Sequence, residues 1–237
     1  WHPFTVNTSV EHPEERLVLS IKAAGPWTKA LHQHVLQLEQ ASQEEESDID
    51  GPNGPVFIAG VYGGVPRHRF CKPVPCVLVA GGIGITPVVS VFRTALAAYE
   101  GDKDTEQPAS VLLVWAVRSL KLLELPVIKE SIEYARQLPS EDKRVAVCIH
   151  LTGPAGKAAR AAANGEGKTD DSAQLPNDSG AVTYHTCRPD IEAAFGNLPD
   201  GNGGFAFACG PSKLQELTVR YALKHRFHDV HTETFEF

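Results

Sequence analysis

The chain has 237 residues, enough for one large domain or two small ones. Its 22 Lys and Arg against 29 Asp and Glu give a net charge of −7, which weighs against a nucleic-acid partner, since phosphate backbones are met by basic surfaces. An apolar fraction of 42% supplies a core and excludes global disorder.

In chain order, residues 4–10 and 17–21 read as short strands separated by the turn-prone His12-Pro13-Glu14-Glu15. Leu31, Val35 and Leu38 then predict a helix from Thr28. Residues 40–55 lose all apolar pattern and read as a solvated insert. It carries Glu44, Glu45, Glu46, Asp48 and Asp50, so the rest of the chain is close to neutral. Residues 56–62 return to strand, closed by Gly63-Gly64.

From Val74 apolar runs alternate with helical patterns. Strands are predicted at 77–80, 111–117, 145–149, 182–185, 205–209 and 230–235, and helices at 87–99, 120–138, 189–195 and 213–225. Continuous apolar strands imply burial on both faces, the parallel sheet of a doubly wound α/β domain. Residues 153–180, Ala/Gly-rich and then polar, read as a mobile loop insert with at most a short Ala helix. The uncharged run 73–92 holds three Gly and three Pro, which suits strand, loop and helix start better than a membrane span. Five cysteines without a two-residue gap argue against a disulfide scaffold or zinc ribbon.

Three motifs carry chemistry. In Val77-Leu78-Val79-Ala80-Gly81-Gly82-Ile83-Gly84-Ile85-Thr86-Pro87 a buried strand meets glycines and then a helix with Pro in its first turn. Such a turn brings unpaired N–H groups and a positive dipole end to an anion, with Thr86 placed to cap the helix or reach a phosphate. Cys209-Gly210-Pro211 ends another strand and faces the same crevice, because ligands of such sheets sit at the strands' carboxyl ends. Arg118, just past Trp115-Ala116-Val117, stands where a cation would meet the 2′-phosphate of a dinucleotide. His225, His228 and His231 read as surface residues rather than a metal site, and no metal is expected.

These elements resemble the ferredoxin-NADP reductase superfamily, specifically its ferric reductase/NADPH oxidase branch. The likeness runs through His2-Pro3-Phe4-Thr5, the segment Ile21 to Thr28, Gly60-Val61-Tyr62-Gly63, the glycine turn, Trp115 to Arg118, Thr186-Cys187-Arg188-Pro189, Cys209-Gly210-Pro211 and a terminal aromatic, Phe237. Val61 replaces the usual Pro, and Cys187 the usual Gly. The resemblance implies part of an antiparallel FAD-binding β-barrel over 1–64 and an NADPH-binding α/β domain over 65–237. It implies that Phe4 lies along the isoalloxazine and Thr5 near its reactive nitrogen. His2, Pro3 and Lys22, with Gly25, Trp27 and Thr28, would hold the rest of FAD. Gly81, Gly82, Gly84, Thr86 and Pro87 would cradle the NADPH pyrophosphate, with Gly210 and Pro211 beside them. Arg118 and Arg188 would hold the adenosine end. Cys209 would flank the nicotinamide, and Phe237 would cover the flavin face. Cys209, Thr5 and Phe237 are thus the expected catalytic residues.

The activity implied is oxidation of NADPH through FAD, with electrons passed to haem in a transmembrane part of a longer parent and then to dioxygen. A ferric-chelate reductase, a non-catalytic regulatory module of the same fold and a soluble flavin reductase are the alternatives. The location implied is the cytosolic face of a membrane, with upstream barrel strands, the haem domain and regulatory subunits as partners. The chain shows no initiator Met or signal peptide, and Trp1 directly precedes the flavin signature, so it reads as a piece whose barrel is completed upstream. FAD titrated into the 237-residue chain is therefore expected to bind weakly. A tight, stoichiometric endpoint in a fluorescence titration would contradict that expectation.

Overall fold

Two three-residue strands, β1 (Val6–Thr8) and β2 (Leu17–Leu19), pair antiparallel with Val6 opposite Leu19. The computed structural model describes residues 4–8, 17–44, 74–101, 110–139, 144–163, 175–198 and 203–234. The predicted strand at 56–62 and its Gly63-Gly64 lie outside these. Helix α1 (Pro26–Glu44) starts two residues before Thr28, with Pro at its first position, where the missing N–H is no loss. It runs past Gln40 because Gln, Ala and Glu sustain a helix by propensity after the apolar period stops. Residues 40–44 of the expected insert are thus helical.

Six parallel strands form the main sheet: β3 (Cys76–Gly81), β4 (Val111–Val117), β5 (Val145–Leu151), β6 (Val182–His185), β7 (Phe205–Cys209) and β8 (Asp229–Glu233), in the order β6-β5-β4-β3-β7-β8. Helices α2 (Ile85–Gly101), α3 (Pro126–Gln137) and α4 (Gly153–Ala163) contribute to the core on one face. Helices α5 (Ile191–Gly196) and α6 (Ser212–Lys224) contribute to the other. The doubly wound arrangement matches the reading of uninterrupted apolar strands. In β3, Leu78 and Ala80 enter the first core and Val77 and Val79 the second, all fully buried. Each such Val or Leu contributes about 1.5–3 kcal/mol by leaving water. Val18 of the small sheet packs against the first core.

Two elements differ from the sequence pattern. The helix expected over 120–138 splits into a 3₁₀ turn, Leu120–Glu124, and α3, because Pro126 forces Leu125 into an extended conformation, with φ −62° and ψ 127°. Residues 153–163, read within a loop insert, form α4. It buries Ala159 and packs Ala155 on the core, a stripe of small side chains that leaves no large-residue period to read. Among the described residues no helix is long and apolar enough to cross a membrane.

The chain runs outward from β3 through β4, β5 and β6, then returns to place β7 on the other side of β3. The carboxyl ends of β3 and β7 therefore flank a topological switch point, the place where open α/β sheets leave a crevice.

Candidate functional site

Gly81 ends β3, and a single 3₁₀ turn, Gly82–Gly84, leads straight into α2. The glycines have separate tasks. A Cβ on Gly84 would collide with the Cys209 carbonyl, and one on Gly210 would lie 2.9 Å from both Cα and N of Gly81. These three let the β3 and β7 ends touch backbone to backbone. Gly82 differs: its φ is +57°, and nothing lies within 4 Å of where a Cβ would stand. It is the turn's open glycine, shaped for close approach by an anion. The fully buried Trp115 donates its indole Nε1–H to the Gly82 carbonyl at 2.9 Å, so β4 fixes the turn. Sequence reasoning missed this role, although an indole N–H inside an aliphatic strand demands a partner. Thr86 is 3% exposed and donates its hydroxyl to the Ile83 carbonyl at 3.1 Å. That proton is already used within the turn, so any donation by Thr86 to a phosphate falls to its backbone N–H. Pro87 is buried in the first turn of α2.

Cys209 closes β7 in the first core, in register with Glu233 of β8. Burial, with Glu233 adding to it, pushes the thiol up to about 12, so the sulfur is a neutral group and not a thiolate. Burial also raises the Glu233 carboxyl above its ordinary value. Gln215 of α6 donates to the carbonyls of Gly210 at 2.6 Å and Glu233 at 3.2 Å, joining the two strand ends. Pro211 is exposed on the loop between β7 and α6.

Cations stand further along the same edge. Arg118 follows β4 and is exposed, its stem against Gly153 at the start of α4. Arg188 follows β6 and is exposed as well. One strand, β5, separates their positions, about 10 Å across the sheet. Between them His150 stacks on His185 with centroids 4.6 Å apart, and its Nδ1 bonds the Cys187 carbonyl at 3.1 Å. Arg160 of α4 donates to the Thr186 carbonyl at 2.6 Å, so the loop bearing Arg188 is held from two sides. The histidine pair was not singled out in the sequence. Beneath it, short α5 leaves a cavity of about 410 Å³ over Leu112, Val114 and Cys148.

In the N-terminal part, Phe4 stacks on half-exposed Trp27 with centroids 5.9 Å apart. The Thr5 Oγ1 is buried without a hydrogen-bond partner, an orphan that a ligand acceptor or donor would satisfy. Thr28 is occupied: its Oγ1 accepts from the N–H groups of Ala24 and Gly25 at 2.9 and 3.0 Å and donates to the Gly25 carbonyl at 3.1 Å. The Thr28 amide, in the first turn of α1, has no acceptor within its own helix. Lys22 is exposed. His2, Pro3, the Gly60–Gly63 motif and Phe237 lie outside the described residues. Of the regularly spaced histidines, His228 is exposed and His231 keeps an exposed side chain, as the surface reading has it, while His225 departs from it. His225 stacks on Phe195 and buries its Nε2, and His231 lies against Phe205.

Among the described residues, a half-buried turn with one open glycine and exposed cations along the rim can anchor a dinucleotide, with the Cys209 thiol covered behind the turn. Comparison with known proteins agrees. The ferric reductase NAD-binding domain profile matches residues 75–223, and an FAD-binding domain profile matches residues 1–64. Ferric reduction oxidase 2 of Arabidopsis thaliana is 30% identical over 56% of this chain and 17% of its own length. NADPH oxidase 1 of Mus musculus is 30% identical over 50% of this chain and 18% of its own. The chain thus spans less than a fifth of these relatives. A flavohemoglobin from Malassezia yamatoensis, solved with bound FAD and heme, shares the fold at a TM-score of 0.50 and 18% identity, covering 99% of this chain and 51% of that one.

His150 gives a pH signature. Burial, then the neighbouring His185, lowers it from 6.5 to about 4, with the Cys187 carbonyl opposing. The unfolded chain takes up a proton between those values that the native state refuses, so stability is complete above the higher pH and falls as pH drops toward the lower. The loss expected is about 3 kcal/mol, read by urea unfolding across that window. His150→Gln should flatten the dependence; an unchanged slope would contradict the assignment.

Proposed function

The chain belongs to the ferric reductase NAD-binding domain family, and from that premise we propose that it is the NADPH-oxidising, FAD-dependent dehydrogenase portion of a longer electron-transfer protein. The observation that carries the reading is the Gly82 turn: an open left-handed glycine at a helix N-terminus, pinned by Trp115, at the switch point of a parallel sheet.

In this reading the backbone amides from Gly82 into α2 hold the pyrophosphate of NADPH. Arg118 and Arg188 hold the adenosine end, where a 2′-phosphate adds charge for a guanidinium to meet. Cys209 offers the nicotinamide a neutral wall: a thiol kept protonated neither attacks the ring nor brings a charge beside it. Gly81, Gly84, Gly210 and Pro211 keep the two strand ends in contact and the crevice narrow.

The N-terminal residues fit a flavin, since Thr5 has a buried hydroxyl awaiting a partner and Phe4 and Trp27 present stacked rings. Thr5 would bond the flavin ring. Lys22, Gly25 and the Thr28 amide would hold the FAD phosphates with His2 and Pro3, with Trp27 beside them, and Phe237 would lie over the flavin face. When bound, FAD supplies a ring that takes a hydride and releases electrons singly. The protein's task is then to hold two rings ~3–3.5 Å apart and to exclude water.

Beyond this chain, we place haem in a transmembrane part of the parent and dioxygen as the last acceptor, with the dehydrogenase on the cytosolic side and upstream barrel strands and regulatory subunits as partners. Likeness to NADPH oxidase 1 supports that acceptor, while the equal likeness to ferric reduction oxidase 2 favours a ferric chelate as the second reading.

The test is NADPH oxidation with ferricyanide by the chain supplied with excess FAD. Activity is expected, and Arg118→Ala should raise the KM for NADPH by about tenfold or more, because a charge-assisted contact is lost. The KM for NADH should move less than about twofold. Equal effects on both nucleotides would reject the phosphate role, and no turnover with bound flavin would favour a non-catalytic module.

A further inference from the structure

The amide of Gln215 sits in the first turn of α6, 8% exposed, yet it serves no need of its own helix. Its Nε2 donates to the carbonyl of Gly210 at 2.6 Å and to that of Glu233 at 3.2 Å. Its Oε1 accepts from the Thr234 hydroxyl at 3.2 Å. Gly210 is the residue after Cys209, and Glu233 is its register partner on β8. One planar group therefore grips both backbone neighbours of the buried sulfur, from two segments separated in sequence.

Nothing about backbone ladder pairing requires this. β7 and β8 already pair from Phe205↔Asp229 to Cys209↔Glu233, and the amide acts just past the end of that ladder. There the chain turns through Gly210, whose φ of +152° departs from strand geometry. A buried side-chain amide left unpaired is costly, so the three bonds form together or the segment opens.

We propose that Gln215 is a positioning residue: by tying the Cys209–Pro211 loop to the end of β8, it sets the place of the Cys209 sulfur against the nicotinamide ring and keeps that sulfur covered. The proposal rests on the dinucleotide reading above and assigns a new residue to it. The clamp acts at the nicotinamide end, whereas affinity is anchored at the pyrophosphate and adenosine end, so its loss should appear in kcat and not in KM.

The clamp itself can be read without any cofactor. Native chain is treated with N-ethylmaleimide, and labelling of Cys209 and Cys76 is followed by peptide mass spectrometry. Cys76 is 1% exposed at the opposite end of β3 and reports general loosening. Gln215→Met keeps the length of the side chain and removes all three bonds. It should accelerate labelling of Cys209 by about tenfold or more while Cys76 stays protected. Gln215→Glu, which turns a carboxylate oxygen toward both carbonyls, should accelerate it at least as much. With NADPH, ferricyanide and excess FAD, Gln215→Met should lower kcat by about tenfold and move KM less than about twofold. Unchanged Cys209 labelling, equal acceleration of both cysteines, or faster labelling with unchanged kcat would each overturn the proposal. A wild-type chain without turnover would defeat the functional reading and the nicotinamide role with it, while the labelling still decides the clamp.

Discussion

The molecule depends on a contact between two pieces of backbone. The turn after β3 and the turn after β7 meet with no side chain between them, at Gly81 against Gly210 and at Gly84 against the Cys209 carbonyl. A single methyl group at any of these would force the strand ends apart, and interiors packed at crystal density yield to such insertions only at about 1–3 kcal/mol. The contact sets the turn into α2 against the turn into α6, with nothing packed over Gly82. Trp115 on one side and Gln215 on the other then fix the two turns.

Charge is arranged around this contact by distance from it. At the junction the Cys209 thiol keeps its proton and the Thr86 hydroxyl is spent on Ile83, while burial holds the Glu233 carboxyl beside the thiol above its ordinary value. Along this edge, exposed guanidinium groups follow β4, the next strand out, at Arg118 and the more distant β6 at Arg188. Such a gradient suits a ligand charged at its phosphates and uncharged at its reacting ring. The stacked pair His150 and His185 stays with the structural part of the edge, holding the loop of Arg188 through the Cys187 carbonyl.

Much of this was legible in the chain. Apolar strand runs announced a sheet buried on both faces, and Gly81 to Pro87 announced a strand entering a helix without a side chain in the way. The cation after β4 and the Cys-Gly-Pro step at β7 were placed at the correct end of the sheet. What stayed hidden was the division of labour among glycines, because packing and ligand approach use the same residue for the same lack of a Cβ. Only φ and the neighbours of Gly82 separate it from Gly84. The sequence left Thr86 either to cap its helix or to reach a phosphate, and its hydroxyl binds its own turn; Thr28, expected on the flavin phosphates by resemblance, likewise spends its hydroxyl locally. Helix α4 shows in the sequence only as a short alanine stretch inside a loop insert, and Gln215 looks like any polar residue on an amphipathic helix.

The most direct measurement is a crystal structure of the chain soaked with NADP⁺. The account requires the pyrophosphate within hydrogen-bond distance of the amides from Gly82 into α2, with the 2′-phosphate toward Arg118. A nucleotide bound elsewhere, for instance in the cavity beneath the His150–His185 pair with the Gly82 turn left bare, would contradict it.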